Sequence, residues 1–231
     1  NVFKASGKLI NLIEILKTKQ NICAKSKIGI GHIRWATHGL PTTQNAHPHT
    51  CNCKNLTLVH NGIIENYQEL KKELEKQGAV FASQTDTEVA AHLIAYEYGK
   101  TKNLLNAMQN AAKKIKGAFA FCAIHKEEPD RIVVAKRNAP LIIGVGQGEN
   151  FIASDIPAII EYTKKAIYLS DYQIGVITKD SIEIYDEKNT LIPNKIEYLP
   201  FEAVAISKMG YKHFMLKEIH EQSDVVRNVL A

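Results

Sequence analysis

A polar segment at residues 31–49 carries the residue types that perform chemistry. Its sequence, GHIRWATHGLPTTQNAHPH, contains one Arg, one Trp, three Thr, four His and one Asn. Such a density of directional hydrogen-bonding groups is costly to bury unless each group finds a partner. Loops held on a rigid scaffold often use such groups to bind a ligand. The segment therefore predicts a site for a small polar molecule.

The first chemical interpretation of this region is a metal site. Possible ligands alternate with other residues at His47, His49, Cys51 and Cys53, and on an extended segment their side chains share one face. Two His and two Cys could bind zinc in an interaction domain. Structural zinc sites, however, draw ligand pairs from separate segments, with about two to four residues between paired ligands. The spacing therefore favours no metal, and an exposed connection without a role is the alternative for the two cysteines.

The second interpretation is recognition of an amino acid. Arg34 offers a planar fork for a carboxylate, and Asp86, at a predicted helix start, offers a counter-charge for an ammonium group. Asn61 and Gly62 offer a side-chain amide and an unhindered backbone N–H, and two such donors at one point form an oxyanion hole. Each of these features also has a simpler explanation. Arg34 could form a surface ion pair, Asp86 could be a helix-start residue, and Asn61-Gly62 could be a tight turn. The residue pattern alone leaves the choice open.

The elements that must position these residues follow from hydrophobic periodicity. A first amphipathic helix is predicted from Lys8 to Thr18, with Leu9, Leu12, Ile13 and Leu16 on one face. Thr85 and Glu88 have the spacing of a capping box at the start of another helix. Further helices are predicted at 66–78 and 102–116, and strands at 27–34 and 56–60, the latter ending in a turn at Asn61-Gly62.

The pattern changes at Ala118, where short apolar runs follow one another with Gly, Pro and Asp between them. This spacing predicts antiparallel sheets rather than βαβ units, and with the central helices it predicts a layered α+β fold. Residues 212–231 resemble a linker and the start of a helix. The predicted strands are 119–124, 131–135, 141–145, 150–153, 166–169, 174–178 and 182–185.

Composition places the chain among ordinary globular proteins. The 231 residues are 45% hydrophobic and 23% charged, which suits one large domain or two small ones. The net charge of +5 comes from scattered residues, and without a basic stripe interleaved with aromatics we expect no nucleic-acid partner. No run is long enough to predict a membrane span. Four cysteines do not make a disulfide framework in a chain of this length, so we expect a reducing, cytoplasmic compartment.

Four blocks carry a resemblance to a known family: GHIRWATHG, NAHPH, VHNGIIENY and SQTDTEV. In order and spacing they resemble the glutaminase half, a class II glutamine amidotransferase domain, of glucosamine-6-phosphate synthase. This enzyme is also called glutamine–fructose-6-phosphate aminotransferase (isomerising). The resemblance continues through GAFAF and RNAPLIIGVGQGENFIASD to YKHFMLKEIHEQ, which is similar to the family's linker into its sugar-isomerase half. It covers essentially the whole chain.

The resemblance implies a four-layer αββα sandwich of the N-terminal-nucleophile hydrolase type. It implies a glutaminase domain at residues 1–208, and at 209–231 a linker with the start of the sugar-isomerase part. The domain would hydrolyse L-glutamine and supply ammonia for making glucosamine 6-phosphate from fructose 6-phosphate in the isomerase part. No cofactor is implied, and the complete enzyme is expected to be a homodimer.

The resemblance also assigns roles to individual residues. Arg34 would bind the glutamine α-carboxylate and Asp86 its α-ammonium group, while Asn61 and Gly62 would form the oxyanion hole. The residues expected to line and close the pocket are Trp35, Thr37, His38 and His47.

One part of the family pattern is missing from this sequence. The family's nucleophile is a cysteine at the mature N-terminus, whereas the chain opens Asn1-Val2-Phe3 and none of its four cysteines is terminal. We therefore expect a fragment of a larger enzyme that has no glutaminase activity alone. The alternatives are a non-catalytic glutamine-binding module and the glutaminase domain of another class II amidotransferase, for instance one acting on phosphoribosyl pyrophosphate.

Overall fold

The fold is α+β, with the sheets made from the second half of the chain and from two earlier strands, one short and one long. A computed structural model describes residues 1–23, 26–35, 39–199 and 210–230. Within them the helices are α1 (Leu9–Lys17), α2 (Gln20–Cys23), α3 (Tyr67–Glu75), α4 (Asp86–Thr101), α5 (Leu104–Lys114) and α6 (Phe214–Leu230), with a short 3-10 helix at Ile156–Ala158. The strands are β1 (His49–Thr50), β2 (Leu56–Ile64), β3 (Gly117–His125), β4 (Glu128–Arg137), β5 (Ile142–Val145), β6 (Asn150–Ala153), β7 (Lys165–Tyr168), β8 (Ile174–Ile177), β9 (Ile182–Tyr185), β10 (Leu191–Ile192) and β11 (Glu197–Tyr198).

The described strands form two sheets in which every pairing is antiparallel. The larger sheet has seven strands in the order β1-β2-β3-β4-β8-β9-β10, and the smaller has four in the order β11-β7-β5-β6. Strand β2 pairs with β3 along its whole length, from Leu56 opposite His125 to Ile64 opposite Gly117. The prediction of antiparallel sheets over the second half of the chain is confirmed.

Three hydrophobic clusters hold the layers together. The first packs α3, α4 and α5 on one face of the larger sheet, with Phe119 and Phe121 at its centre. The second fills the space between the two sheets, where Val134 of β4 meets Ile143 of β5. The third covers the far face of the smaller sheet with residues around the 3-10 helix, such as Ile159. The predicted α+β fold with two stacked sheets is therefore confirmed.

Two local predictions are wrong around the polar segment. The described residues of 27–34 do not form a strand. The Asn61-Gly62 pair is no turn, since β2 continues through it to Ile64. The reason lies in Gly62, whose φ of +124° occurs inside a paired strand. Glycine adopts such a backbone angle without steric cost, so the pair does not have to end the strand.

Helix α1 forms where the periodicity predicts it, but the described residues cover its apolar face only in part. None of its residues is buried, and Leu9 and Ile13 are 54% and 37% exposed. The predicted helix is therefore present, with part of its apolar face exposed. Helical periodicity specifies which side chains share a face, but not whether another element packs on them.

Helix α6, predicted as the start of a helix at the end of the chain, spans 17 residues and carries charged side chains throughout. None of the helices in the described ranges combines the length and the apolar character that crossing a membrane requires.

Candidate functional site

A pocket of about 380 Å³ lies where four parts of the chain meet. These are residues 32–35, His47, the end of β2 and the first turn of α4. Ile33 and Ile63 contribute aliphatic side chains to the lining. The other lining residues are His32, Arg34, Trp35, His47, His60, Asn61, Gly62, Asp86 and Thr87.

Asn61 and Gly62 are neighbours in the pocket lining, and they offer two hydrogen-bond donors, the Asn61 side-chain amide and the Gly62 backbone N–H. Asn61 lies opposite Ala120 and Gly62 opposite Phe119 in the β2–β3 ladder. A Cβ at Gly62 would lie 2.2 Å from the carbonyl oxygen of Ala118, and φ there is +124°. Both facts require glycine, because another side chain would collide with the backbone of β3. The arrangement suits an oxyanion hole.

The Asp86 carboxylate supplies a negative charge at the pocket. It is 4% exposed, and its Oδ2 accepts a hydrogen bond of 2.9 Å from the backbone N–H of Ile64. Asp86 is the first residue of α4, where the helix dipole favours a negative charge. The carboxylate is thus fixed next to the strand that carries Asn61 and Gly62.

Thr85 and Glu88 hold the first turn of α4 in place. Thr85 Oγ1 accepts a hydrogen bond from the Glu88 backbone N–H, as the capping-box spacing predicts. The Glu88 carboxylate accepts bonds of 2.9 Å from the Ala82 N–H and 2.6 Å from the Ser83 N–H. This carboxylate therefore binds the residues that lead into the helix, and so positions Asp86.

Arg34 and Trp35 also line the pocket. The Arg34 guanidinium donates to the carbonyl oxygens of Leu40 at 3.2 Å and Gly39 at 3.4 Å. Trp35 is 90% exposed, so its indole stands at the pocket rim. A planar cation and the Asp86 carboxylate in one pocket match the two charges of an α-amino acid.

Three of the lining residues are histidines that hydrogen-bond to other groups of the pocket. His32 Nε2 lies 2.7 Å from Asn61 Oδ1. Thr87 Oγ1 is shared between His60 Nδ1 at 3.0 Å and His47 Nε2 at 3.1 Å. The rings of His32 and His47 have their centroids 4.1 Å apart. These contacts connect the polar segment to β2 and α4.

Burial keeps these histidines neutral. Desolvation lowers the pKa of His60 to about 4, against a smaller opposing effect of Asp86. Desolvation is also the largest cause that lowers the pKa of His47 and His32. The pKa of His49, which hydrogen-bonds Thr85 Oγ1 at 3.1 Å, is lowered to about 4 for the same reason. Neutral imidazole can donate with one nitrogen and accept with the other.

The structure brings together most of the residues selected from the sequence. Arg34, Trp35, His47, Asn61, Gly62 and Asp86 all line the same pocket. Thr37 and His38 lie outside the described residues. Three further lining residues, His32, His60 and Thr87, were not predicted individually from the sequence. A signal was present, because His60 directly precedes Asn61, and Thr87 directly follows Asp86.

The four residues of the metal interpretation have separate partners. His47 and His49 bond to Thr87 and Thr85, whereas Cys51 and Cys53 contact each other. Within residues 1–23, 26–35, 39–199 and 210–230, no three His, Cys, Asp or Glu side chains converge as metal ligands do.

Comparison with known families gives one match over more than half of the chain. Residues 32–161, which include every residue that lines the pocket, match the family described as the glutamine amidotransferase domain.

Two curated relatives extend the similarity to nearly the whole chain. Both are named glutamine–fructose-6-phosphate aminotransferase [isomerizing]. The Aquifex aeolicus protein is 50% identical over 229 residues, which are 99% of this chain and 38% of that protein. The Methanosarcina mazei protein is 47% identical over 239 residues, again 99% of this chain and 38% of that protein. The chain thus spans less than half the length of these relatives.

Solved structures agree in fold at lower identity. The B. subtilis glutamine phosphoribosylpyrophosphate amidotransferase, in complex with ADP and GMP, is 27% identical with a TM-score of 0.57, covering 69% of this chain and 35% of that one. A structure titled an allosteric regulatory enzyme of purine biosynthesis is 28% identical with a TM-score of 0.55, covering 68% and 34%.

Proposed function

The chain belongs to the glutamine amidotransferase domain family, and on that premise we propose that its pocket binds L-glutamine and promotes hydrolysis of the side-chain amide. One observation carries the proposal: Asn61 and Gly62 meet Arg34 and Asp86 at a single pocket of about 380 Å³. A cation, an anion and a pair of donors are the groups that an α-amino acid with a side-chain amide requires.

We propose that each charged or polar group of the pocket binds one group of glutamine. Arg34 binds the α-carboxylate, Asp86 binds the α-ammonium group, and the Asn61 amide and the Gly62 N–H bind the oxygen of the side-chain amide. His47 and the exposed Trp35 line and close the pocket. We assign Thr37 and His38 to the same closing function on the family resemblance.

The reaction needs a nucleophile beside the oxyanion hole. A thiolate attacks the amide carbon, negative charge develops on the oxygen that Asn61 and Gly62 bind, ammonia leaves, and water releases glutamate from the thioester. None of the cysteines with described side chains, Cys51, Cys53 and Cys122, lines the pocket. On the family resemblance, in which the nucleophile is an N-terminal cysteine, we propose that the thiol belongs to a cysteine other than these three.

We infer that the domain supplies this ammonia for making glucosamine 6-phosphate from fructose 6-phosphate. The identity of 50% over 99% of the chain to an enzyme named for that reaction supports this choice. The phosphoribosylpyrophosphate amidotransferase is a weaker candidate, at 27% over 69%. In this proposal residues 1–208 are the glutaminase domain, 209–231 lead into the isomerase part, and the complete enzyme is a cytoplasmic homodimer.

Two substitutions in the complete protein encoded by the reading frame test glutamine recognition. Arg34→Ala and Asp86→Asn each remove one charge-assisted contact, so each should raise the glutamine KM by about tenfold to a hundredfold. The control is Asp180→Asn, since that carboxylate is exposed and does not line the pocket. If both pocket variants keep the KM of the unmodified protein, the assignment of this pocket is wrong.

The identity of the amino acceptor distinguishes the two amidotransferase alternatives. With glutamine as nitrogen donor, the complete protein should form glucosamine 6-phosphate from fructose 6-phosphate and should not consume phosphoribosyl pyrophosphate. Glutamine binding in calorimetry without any hydrolysis would instead identify a non-catalytic glutamine-binding module.

A further inference from the structure

The pair Cys51 and Cys53 has no part in the proposed glutamine chemistry. It lies in the connection between β1 and β2, outside the pocket lining. The two Sγ atoms are 2.7 Å apart. We propose that these cysteines are a reversible thiol–disulfide modification site, in which an exposed entry thiol and a buried resolving thiol close a disulfide across one residue.

Hydrogen bonds of the backbone and of the Asn52 side chain fix the turn that brings the two sulfurs together. The Lys54 N–H donates to the Cys51 carbonyl oxygen at 2.9 Å, which closes a four-residue turn. Lys54 takes a φ of +54°, in the left-handed region. Asn52, between the cysteines, accepts from the Val80 N–H at 2.9 Å and donates to the Val80 carbonyl oxygen at 2.8 Å. The turn is therefore fixed in a shape that presents both sulfurs to each other.

The two thiols differ in access, which gives them different roles. Cys53 is exposed, so an external disulfide can reach it. Cys51 is 4% exposed, and burial raises the pKa of its thiol. A buried thiol reacts slowly with an external reagent but can attack a neighbouring sulfur.

The reaction balances with a low-molecular-weight disulfide as the oxidant. The Cys53 thiolate attacks one sulfur of that disulfide, forms a mixed disulfide and releases one thiolate. Cys51 then loses its proton to solvent and its thiolate attacks the Cys53 sulfur, which expels the second thiolate. The two protein sulfurs are oxidised by two electrons, and the external disulfide is reduced to two thiols. A reducing dithiol reverses both steps.

The sequence allows a direct readout by mass spectrometry. Trypsin cleaves after Arg34 and Lys54, so both cysteines and no others lie in peptide 35–54. After treatment with oxidised glutathione and alkylation, this peptide should be unlabelled and two hydrogens lighter, and dithiothreitol should restore two alkyl labels. Cys122, which is 8% exposed, lies in peptide 117–126 and serves as the native control that stays reduced.

Single substitutions test the order of the two steps. Cys51→Ser should accumulate glutathione on Cys53 at least about tenfold faster than Cys53→Ser accumulates it on Cys51, because only Cys53 is exposed. The unmodified protein should not accumulate the mixed disulfide, since Cys51 resolves it. Two alkyl labels on peptide 35–54 after oxidation, or a persistent mixed disulfide in the unmodified protein, would overturn the proposal. The unmodified protein answers the question even if a variant fails to fold, and neither result depends on the proposed glutamine chemistry.

Discussion

The Asn61 side chain owes its orientation to His32. Its Oδ1 lies 2.7 Å from His32 Nε2, and because a carbonyl oxygen only accepts, the imidazole must donate from that nitrogen. Desolvation lowers the pKa of His32, so the ring is neutral and holds its proton in one of two positions. With Oδ1 engaged, the NH₂ group of Asn61 is directed away from His32 and is available to an oxyanion.

His32 is therefore expected to be a positioning residue for glutamine hydrolysis. His32→Ala should lower kcat by about tenfold, the effect of one lost hydrogen bond, with a small change in KM. His32→Gln keeps a donor and should recover most of the rate. Steady-state kinetics of the complete protein checks this, and an equal loss in both variants would assign His32 a packing role only.

At the scale of elements, the start of α4 determines where Asp86 lies. Glu88 reaches back to the N–H groups of Ala82 and Ser83 and accepts a third bond of 2.7 Å from Ser83 Oγ. The capping-box pattern predicts that Glu88 reaches the N-cap residue. In the structure, its carboxylate binds Ser83 and Ala82, which lie two and three positions before Thr85, and so orders a longer stretch of chain.

Glu88→Gln should destabilise the fold more than its small change in shape suggests. The amide supplies one acceptor oxygen where the carboxylate supplied two, so one buried donor loses its partner, at a cost of about 2 kcal/mol. Urea denaturation measures the change. Glu75→Gln, at an exposed position in the last turn of α3, is the matched control and should shift the midpoint little. Equal midpoints for both variants would contradict this account.

For the whole molecule, the buried histidines make stability depend on pH. Burial lowers the pKa of His49 and of His60 to about 4, whereas in the unfolded chain a histidine titrates near 6.5. Between these values the unfolded state binds more protons, so stability rises with pH. The contribution is complete above about pH 6.5 and is lost as pH falls towards about 4.

The free energy of unfolding should thus fall by at least about 2 kcal/mol from pH 7 to pH 5, since each such histidine contributes up to about 1.4 kcal/mol per pH unit. Urea titrations at several pH values test this. His60→Gln, which can keep a hydrogen bond to Thr87, should reduce the slope. A slope that is unchanged in this variant would show that His60 is not among the titrating groups.

Local patterns predicted the elements whose structure depends on near neighbours. The Thr85 cap, the α3 and α5 helices and the strand series from β3 to β9 appear close to their expected positions. The predictions of a strand at 27–34 and of a turn at Asn61-Gly62 were wrong. Strand pairing, and a positive φ inside a strand, depend on distant residues such as Ala118. Helix α1 is present as predicted, and its partly exposed apolar face shows that periodicity does not specify a packing partner.

The sequence by itself determined the residue types of the site, the layered α+β class and the family resemblance, since these depend on composition, short-range spacing and recognisable motifs. Only the tertiary structure decided that Arg34, Asn61 and Asp86 line one pocket, that neutral histidines orient and support the oxyanion donors, and that Cys51 meets Cys53 in a fixed turn. The physical reason is that most of these contacts join residues more than twenty positions apart. Their geometry depends on how sheets and helices pack, which no local pattern specifies.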